Sequence, residues 1–145
     1  VQLTSNNFAD QTPIPADYTC KGRNTNPSLH IETPPSGTQT LALIMYDPDA
    51  PSGNFTHWIM WNIPADTADI PENTVPASAV QGTNDFKLAS YGGPCPPSGT
   101  HRYIFDLYAL DTKLTLPVTT TRQDLETAIR PHITDHARLI GLFSA

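Results

Sequence analysis

Charge is scarce in this chain, and basic charge scarcer still. Asp, Glu, Lys and Arg make up only 15% of its 145 residues, and 8 Lys and Arg stand against 14 Asp and Glu, for a formal net charge of −6. Nucleic-acid binding rests on neutralised phosphates and needs a basic footprint, so no nucleic-acid partner is expected. The same balance disfavours adhesion to anionic membranes. Long apolar runs are missing, so no membrane-spanning segment and no integral membrane contact are expected. Disorder usually comes with high charge and few aromatics, and this composition points the other way. Only two cysteines occur, Cys20 and Cys95, and they leave the compartment open. No signal peptide or initiator Met is present, which fits a trimmed chain, a Met-processed cytosolic protein or a mature exported one. The reading is a soluble protein, cytoplasmic ahead of periplasmic or secreted.

Catalytic signatures are missing too. Ser98 lies in Pro96-Pro97-Ser98-Gly99-Thr100, not in the G-x-S-x-G turn that exposes a hydrolase nucleophile. Cys95 carries no protease signature. His132 and His136 have the spacing of a zinc pair, but the Glu of H-E-x-x-H is absent. They read as a pair on a helix surface. No metal, no cofactor and no enzymatic activity are expected.

Proline, by contrast, is abundant, with 15 residues. No repeat, low-complexity block or polar linker divides the chain, so residues 1–145 form one domain with one core. Thr40 to Tyr46 is a continuous apolar run of strand length. From His57 to Ile63 the pattern alternates, with His57, Ile59, Trp61 and Ile63 on one face and Trp58, Met60 and Asn62 on the other. From His101 to Leu110 it alternates again: His101, Tyr103, Phe105 and Leu107 share one face, Arg102, Ile104, Asp106 and Tyr108 the other. Thr120 with Gln123, or Thr121 with Asp124, marks a helix start that Pro131 ends. His132 to Arg138 reads as further helical turn, and Leu139 to Ser144 as a final strand. The expected architecture is mainly β: an antiparallel β-sandwich with a short C-terminal helical segment.

Two stretches concentrate polar groups at strand ends. Asp47-Pro48-Asp49-Ala50-Pro51 is a rigid corner after an apolar strand, because a residue before proline is held extended. Tyr91-Gly92-Gly93-Pro94-Cys95-Pro96-Pro97-Ser98-Gly99-Thr100 runs directly into His101-Arg102-Tyr103. The His101 imidazole, the Tyr103 phenol and the amides of a Gly/Pro loop are hydrogen-bond donors suited to a phosphate or carboxylate. Asp47 can accept from one ring nitrogen of a histidine and turn the other to a ligand. Asp49 reads as a turn carboxylate bonding nearby amides. Arg102 alternates away from His101 and Tyr103 and reads as a partly buried ion pair with Asp85 or Asp106.

The order D-P-D-A-P, then His57-Trp58, then G-P-x-P-P-S-G-T-H-R-Y resembles the phosphatidylethanolamine-binding protein family, in its bacterial and archaeal Raf-kinase-inhibitor-like branch. The likeness runs from Leu3-Thr4-Ser5, through Ile14-Pro15, Tyr18-Thr19-Cys20, Asn62-Ile63-Pro64 and Gly82-Thr83-Asn84-Asp85-Phe86, to Leu139-Ile140-Gly141-Leu142-Phe143. It departs at Glu32, where relatives often carry Trp, and at Lys87, where Gly is common. The resemblance implies a Greek-key sandwich with a pocket of His57, His101 and Tyr103, in which Asp47 orients a histidine. Cys95, Pro96 and Pro97 complete the ligand-binding set, while Asp49, Pro51, Gly99 and Arg102 support it. The implied ligand is a small anion, phosphate or a phospholipid headgroup such as phosphoethanolamine, bound without catalysis. Relatives that modulate kinases or proteases imply a protein partner as the alternative, acting through loops such as Gly53 to Thr56; a homodimer is compatible with either. Cys20 and Cys95 either form a disulfide that braces the pocket rim or remain reduced, partly buried thiols; a bridge requires Cα atoms within about 7 Å.

Overall fold

A computed structural model of the chain describes residues 1–145 as two stacked sheets with one short helix. The smaller sheet has the order β1-β3-β6, from β1 (Gln2–Thr4), β3 (Leu29–Glu32) and β6 (Asp69–Ile70). The larger runs β2-β9-β8-β4-β5-β7, built from β2 (Thr12–Pro13), β9 (Ile133–Ser144), β8 (Thr100–Leu110), β4 (Thr40–Asp47), β5 (Phe55–Pro64) and β7 (Val80–Gln81). Pairing is antiparallel throughout except at the edge, where short β2 lies parallel to β9. No helix is long and apolar enough to cross a membrane.

The apolar pattern of each strand follows from what covers it. Leu41, Leu43 and Met45 pack inward with Phe105, Leu107 and Trp58, against Leu3, Leu29 and Ile31 of the small sheet. The opposite face carries Ala42, Ile44, Ile59 and Trp61, covered by Leu125 and Ile129 of helix α1 (Arg122–Ile129). β4 is thus buried on both faces, which explains why its residues show no polar alternation. Thr121 caps α1, its hydroxyl accepting from the Asp124 amide, and Pro131 turns the chain into one 3₁₀ turn, Arg130–His132.

Two expectations are corrected here. Residues 133–138 are strand, not helix: β9 pairs with β8 from Ile133 to Ser144, with Ala137 and Leu139 inward. His132 and His136 therefore share no helix face; His132 meets Asp111 and His136 meets Asp106. The second correction concerns β5. Trp58, Met60 and Ile63 face the inner core while Ile59 and Trp61 face α1. The β4–β5 register shifts twice, opposite Leu41/Leu43 and opposite Met45/Tyr46. At the first shift Asn62 takes a positive φ of 56° and Ile63 moves to the inner face.

Candidate functional site

The second register shift builds the site. Tyr46 pairs with Thr56 and Met45 with Trp58, so His57 is the extra residue of a β-bulge. A bulge re-aims a side chain, and here it turns His57 away from the face of Ile59 and Trp61. The ring lies instead edge-on to Tyr103, with centroids 5.2 Å apart. Strict alternation had placed it on the wrong face. The His57 Nδ1–H donates to the Gly92 carbonyl at 2.6 Å, so Nε2 is the nitrogen left without a protein partner. Burial holds the His57 imidazole below its ordinary value of 6.5, and the Gly92 carbonyl and Asp47 only partly oppose this.

Asp47 ends β4 and is almost fully buried. Its Oδ2 accepts from His101 Nδ1 at 2.6 Å and its Oδ1 from the Asp49 amide at 2.8 Å. That arrangement fixes the His101 tautomer and leaves its Nε2 free, as the carboxylate-before-histidine reading expects. Tyr103 follows on the same face of β8; its ring is buried and its hydroxyl has no hydrogen-bond partner in the protein. Burial, and then nearby Asp47, raise the phenol well above its ordinary value.

Arg102 points away from these groups, as alternation requires, but its partner is neither Asp85 nor Asp106. Its guanidinium grips Asp49 through Nε and Nη2, and its amide donates to the same carboxylate, each at 2.9 Å. Asp85 instead accepts from the Thr56 amide, and Asp106 is held by Arg138. The pair is a clasp between the D-P-D corner and β8, and it is not buried: 54% of the Arg102 side chain is exposed. The Arg102 hydrogen bonds lower Asp49 to about 2. The carboxylate's stabilising contribution is therefore complete above about 4 and lost as the pH falls towards 2. An exposed pair is screened by solvent, so Arg102→Ala should cost less than about 1 kcal/mol in a denaturant titration. A larger loss would mean that the clasp governs the corner.

A cleft of about 410 Å³ opens over these residues. Asp47, His57, His101, Tyr103, Cys95, Pro96 and Pro97 all line it, together with Pro51. Asp49, Arg102 and Gly99 do not. Gly99, at φ 68°, immediately precedes β8, and its carbonyl accepts from the Ala145 amide. Of the donors expected from the Gly/Pro loop, Gly92 N–H is given to His57 O and Gly93 N–H to Asn24 Oδ1, and prolines have none, which leaves the amide of cleft-lining Cys95. Ser98 is not in the cleft wall.

Sequence reasoning missed two aromatic walls and their support. Phe55 and Phe86 line the cleft and meet the His57 ring edge-on at 5.1 and 5.4 Å. Buried Asn84 holds both sides: its amide donates to His57 O and Ser90 O, and its carbonyl accepts from Phe86 N and Leu88 N. Lys87 takes a φ of 65° in this loop, a conformation that accounts for the glycine common there. Gly92 is also required, because a Cβ would occupy the place of the Phe86 ring. Ala50 and Ser52 complete the lining. An Asx-type pattern in Asn84-Asp85-Phe86 was the available signal for a structured turn, but it says nothing about which wall the turn forms.

Cys20 and Cys95 are joined in a disulfide with Cα atoms 5.5 Å apart. Both residues are exposed, so the bridge is a rim element rather than part of the core. It is one of several ties there: Cys20 N donates to Pro94 O, and the Tyr91 hydroxyl donates to Tyr18 O.

Comparison with known proteins shows the fold and the family. A family model described as phosphatidylethanolamine-binding protein matches residues 4–144. A UPF0098 protein of Methanothermobacter thermautotrophicus is 45% identical over 148 residues, covering 99% of this chain and 98% of the relative. A Mycobacterium tuberculosis protein named as lipoprotein LppC is 38% identical, covering 97% of this chain and 71% of its own. Among solved structures, a phosphatidylethanolamine-binding protein homologue of Chlamydia trachomatis has a TM-score of 0.95 at 36% identity, covering 99% of this chain and 97% of its own. Escherichia coli YbcL has a TM-score of 0.93 at 32% identity, covering 99% and 98%. The chain belongs to the phosphatidylethanolamine-binding protein family.

Proposed function

We propose that the chain is a non-enzymatic binding protein whose cleft takes a small phosphate-type anion, free or as a headgroup. The observation that carries this reading is the convergence of three unpaired polar groups, His57 Nε2, His101 Nε2 and the Tyr103 hydroxyl, on one cleft. A buried tyrosine hydroxyl without a partner is costly unless a ligand or water supplies one. Catalysis finds little support: Cys95 is oxidised, and Ser98 lies outside the cleft. The exposed disulfide and the lipoprotein name of one relative favour an oxidising, extracytoplasmic setting for a mesophilic host. Thiol alkylation of protein taken from that host should then label neither cysteine; labelling of both would place it in a reducing compartment.

Affinity should be modest, in the micromolar to millimolar range, or about 4–8 kcal/mol. Tyr103→Phe keeps the ring and removes only the hydroxyl. Calorimetry should show phosphate binding weakened by about 0.5–1.5 kcal/mol with the melting temperature unchanged or raised, since no internal hydrogen bond is lost. Wild-type affinity in this variant would take Tyr103 out of the site.

The pH dependence has a definite sign. Folded His57 resists protonation, so the unfolded chain binds its proton first and stability falls as the pH drops below 6.5. An anion in the cleft stabilises a proton on the His57 ring. Phosphate affinity should therefore rise on acidification, by at most about tenfold per pH unit for one linked proton. Affinity that instead rises with pH would contradict the placement of the anion beside the two rings.

A further inference from the structure

A second cleft, of about 240 Å³, shares no residue with the first and has no charged side chain in its wall. The charges nearest in sequence are committed elsewhere: Arg23 pairs with Asp17 and Glu72, and Glu72 also accepts from the Tyr18 hydroxyl. Two carboxamides in the wall are oriented by partners that can only donate. Gln81 Oε1 accepts from the Trp58 indole at 2.8 Å, and Asn24 Oδ1 from the Gly93 amide at 2.9 Å. An indole and a peptide N–H offer no acceptor, so each carboxamide oxygen faces them and each NH₂ faces away. Neither NH₂ has a partner in the protein. Asn26 is the frame: its NH₂ donates to Pro27 O and Pro71 O, and its Oδ1 accepts from the Thr74 amide. The Asn26 carbonyl accepts from the Asn73 amide, and Asn73 sits at a φ of 52°. The Thr25 hydroxyl is enclosed and has no partner in the protein. Tyr91 spends its hydroxyl on Tyr18 O, so what it offers the cleft is ring.

This inventory decides the ligand class by elimination. An anion finds no cation in the wall, and a cation finds no carboxylate. An apolar ligand would strip water from two NH₂ groups and leave them unpaired. The complement is a neutral ligand whose polar groups both donate and accept. A sugar hydroxyl does both: it accepts from a carboxamide NH₂ while donating to a hydroxyl or carboxamide oxygen such as that of Asn73. The volume lies below the roughly 300–1,000 Å³ of sites for drug-sized ligands, which limits the occupant to one ring. We propose that this cleft binds a neutral sugar ring, with the NH₂ groups of Asn24 and Gln81 donating to its hydroxyls and the Tyr91 ring packing against its C–H groups.

The test is ¹⁵N NMR of the chain with glucose, galactose and mannose, each taken to about 100 mM, well above a millimolar dissociation constant. At least one of them should shift the Asn24 and Gln81 NH₂ signals and the Trp58 indole N–H saturably, with one millimolar constant. The His57 and His101 ring signals should stay in place. Glucuronate, a sugar ring carrying a carboxylate, should bind at least about threefold more weakly than the best neutral sugar. Two variants locate the site while keeping the local fold. Gln81→Glu retains an acceptor for the Trp58 indole and removes the NH₂; Asn73→Gly accepts the positive φ and removes the carboxamide. The first should weaken the sugar at least about fivefold and the second about twofold, with the backbone amide spectrum preserved. No saturable shift with any of the three sugars overturns the proposal. So does wild-type affinity in Gln81→Glu, which would put the sugar elsewhere. Tighter binding of N-acetylglycinamide than of every sugar would also overturn it, by making the cleft a peptide site.

Discussion

Asp47→Ala is expected to lose both stability and ligand binding. The carboxylate is buried, accepts from His101 Nδ1 and the Asp49 amide, and nothing else in the cleft can replace it. Removing one partner of such a pair leaves buried donors without acceptors, a loss on the order of 3 kcal/mol. Phosphate affinity should fall at least about tenfold, because His101 loses the bond that fixes its tautomer and orientation. Asp47→Asn separates the two effects. Asparagine retains an acceptor for the imidazole N–H but carries no charge, so it should recover most of the stability and little of the affinity. Denaturant titration and calorimetry of both variants decide this. Equal stability of the Ala variant and the wild type would mean that the His101–Asp47 contact does not organise the site.

Reduction of the Cys20–Cys95 bridge should have the next largest effect, and on stability alone. The bridge spans 75 residues of sequence, so opening it frees a long loop in the unfolded chain, worth about 2–4 kcal/mol. In the folded state the rim keeps its other ties, Cys20 N to Pro94 O, Gly93 N to Asn24 Oδ1 and the Tyr91 hydroxyl to Tyr18 O. The reduced protein should therefore unfold at lower denaturant, with a steeper m value from its more expanded unfolded state, yet bind phosphate as before. Loss of binding on reduction, with the midpoint unmoved, would show that the bridge shapes the cleft instead of restraining the unfolded chain.

The sequence was legible where one residue advances the pleat by one step. β8 keeps perfect alternation through His101, Tyr103, Phe105 and Leu107, so two cleft residues and the outward turn of Arg102 could be read directly. β4 was legible for the opposite reason, since cover on both faces makes it apolar at nearly every position. β5 was not. Its two bulges each add a residue, and no period of two reveals where that happens. His57 was named as a pocket residue only through family likeness, while its predicted direction was wrong.

Other misses share one cause: they depend on what lies far away in sequence. Arg102 finds Asp49 because β8 and the D-P-D corner meet in space, 53 residues apart in the chain. Residues 133–138 read as a further helical turn beyond Pro131, with His132 and His136 at the spacing of one helix face, but pairing along the whole of β8 outweighs local preference. Phe86 forms a wall because Asn84 ties its loop to the His57 backbone. The Gly/Pro loop looked rich in donors, but its two glycine amides are committed to His57 and Asn24.

The central claim is that an anion sits between His57, His101 and Tyr103, and imidazole ¹⁵N NMR tests it most directly. The chain has five histidines, and only His57 and His101 line the cleft; His30, His132 and His136 pair with carboxylates elsewhere. Titration with inorganic phosphate at constant pH should shift the Nε2 resonances of His57 and His101 saturably and with one dissociation constant. The other three histidines should stay where they are. Resonances of His57 and His101 that do not move, or equal shifts at His30, His132 and His136, would contradict the account.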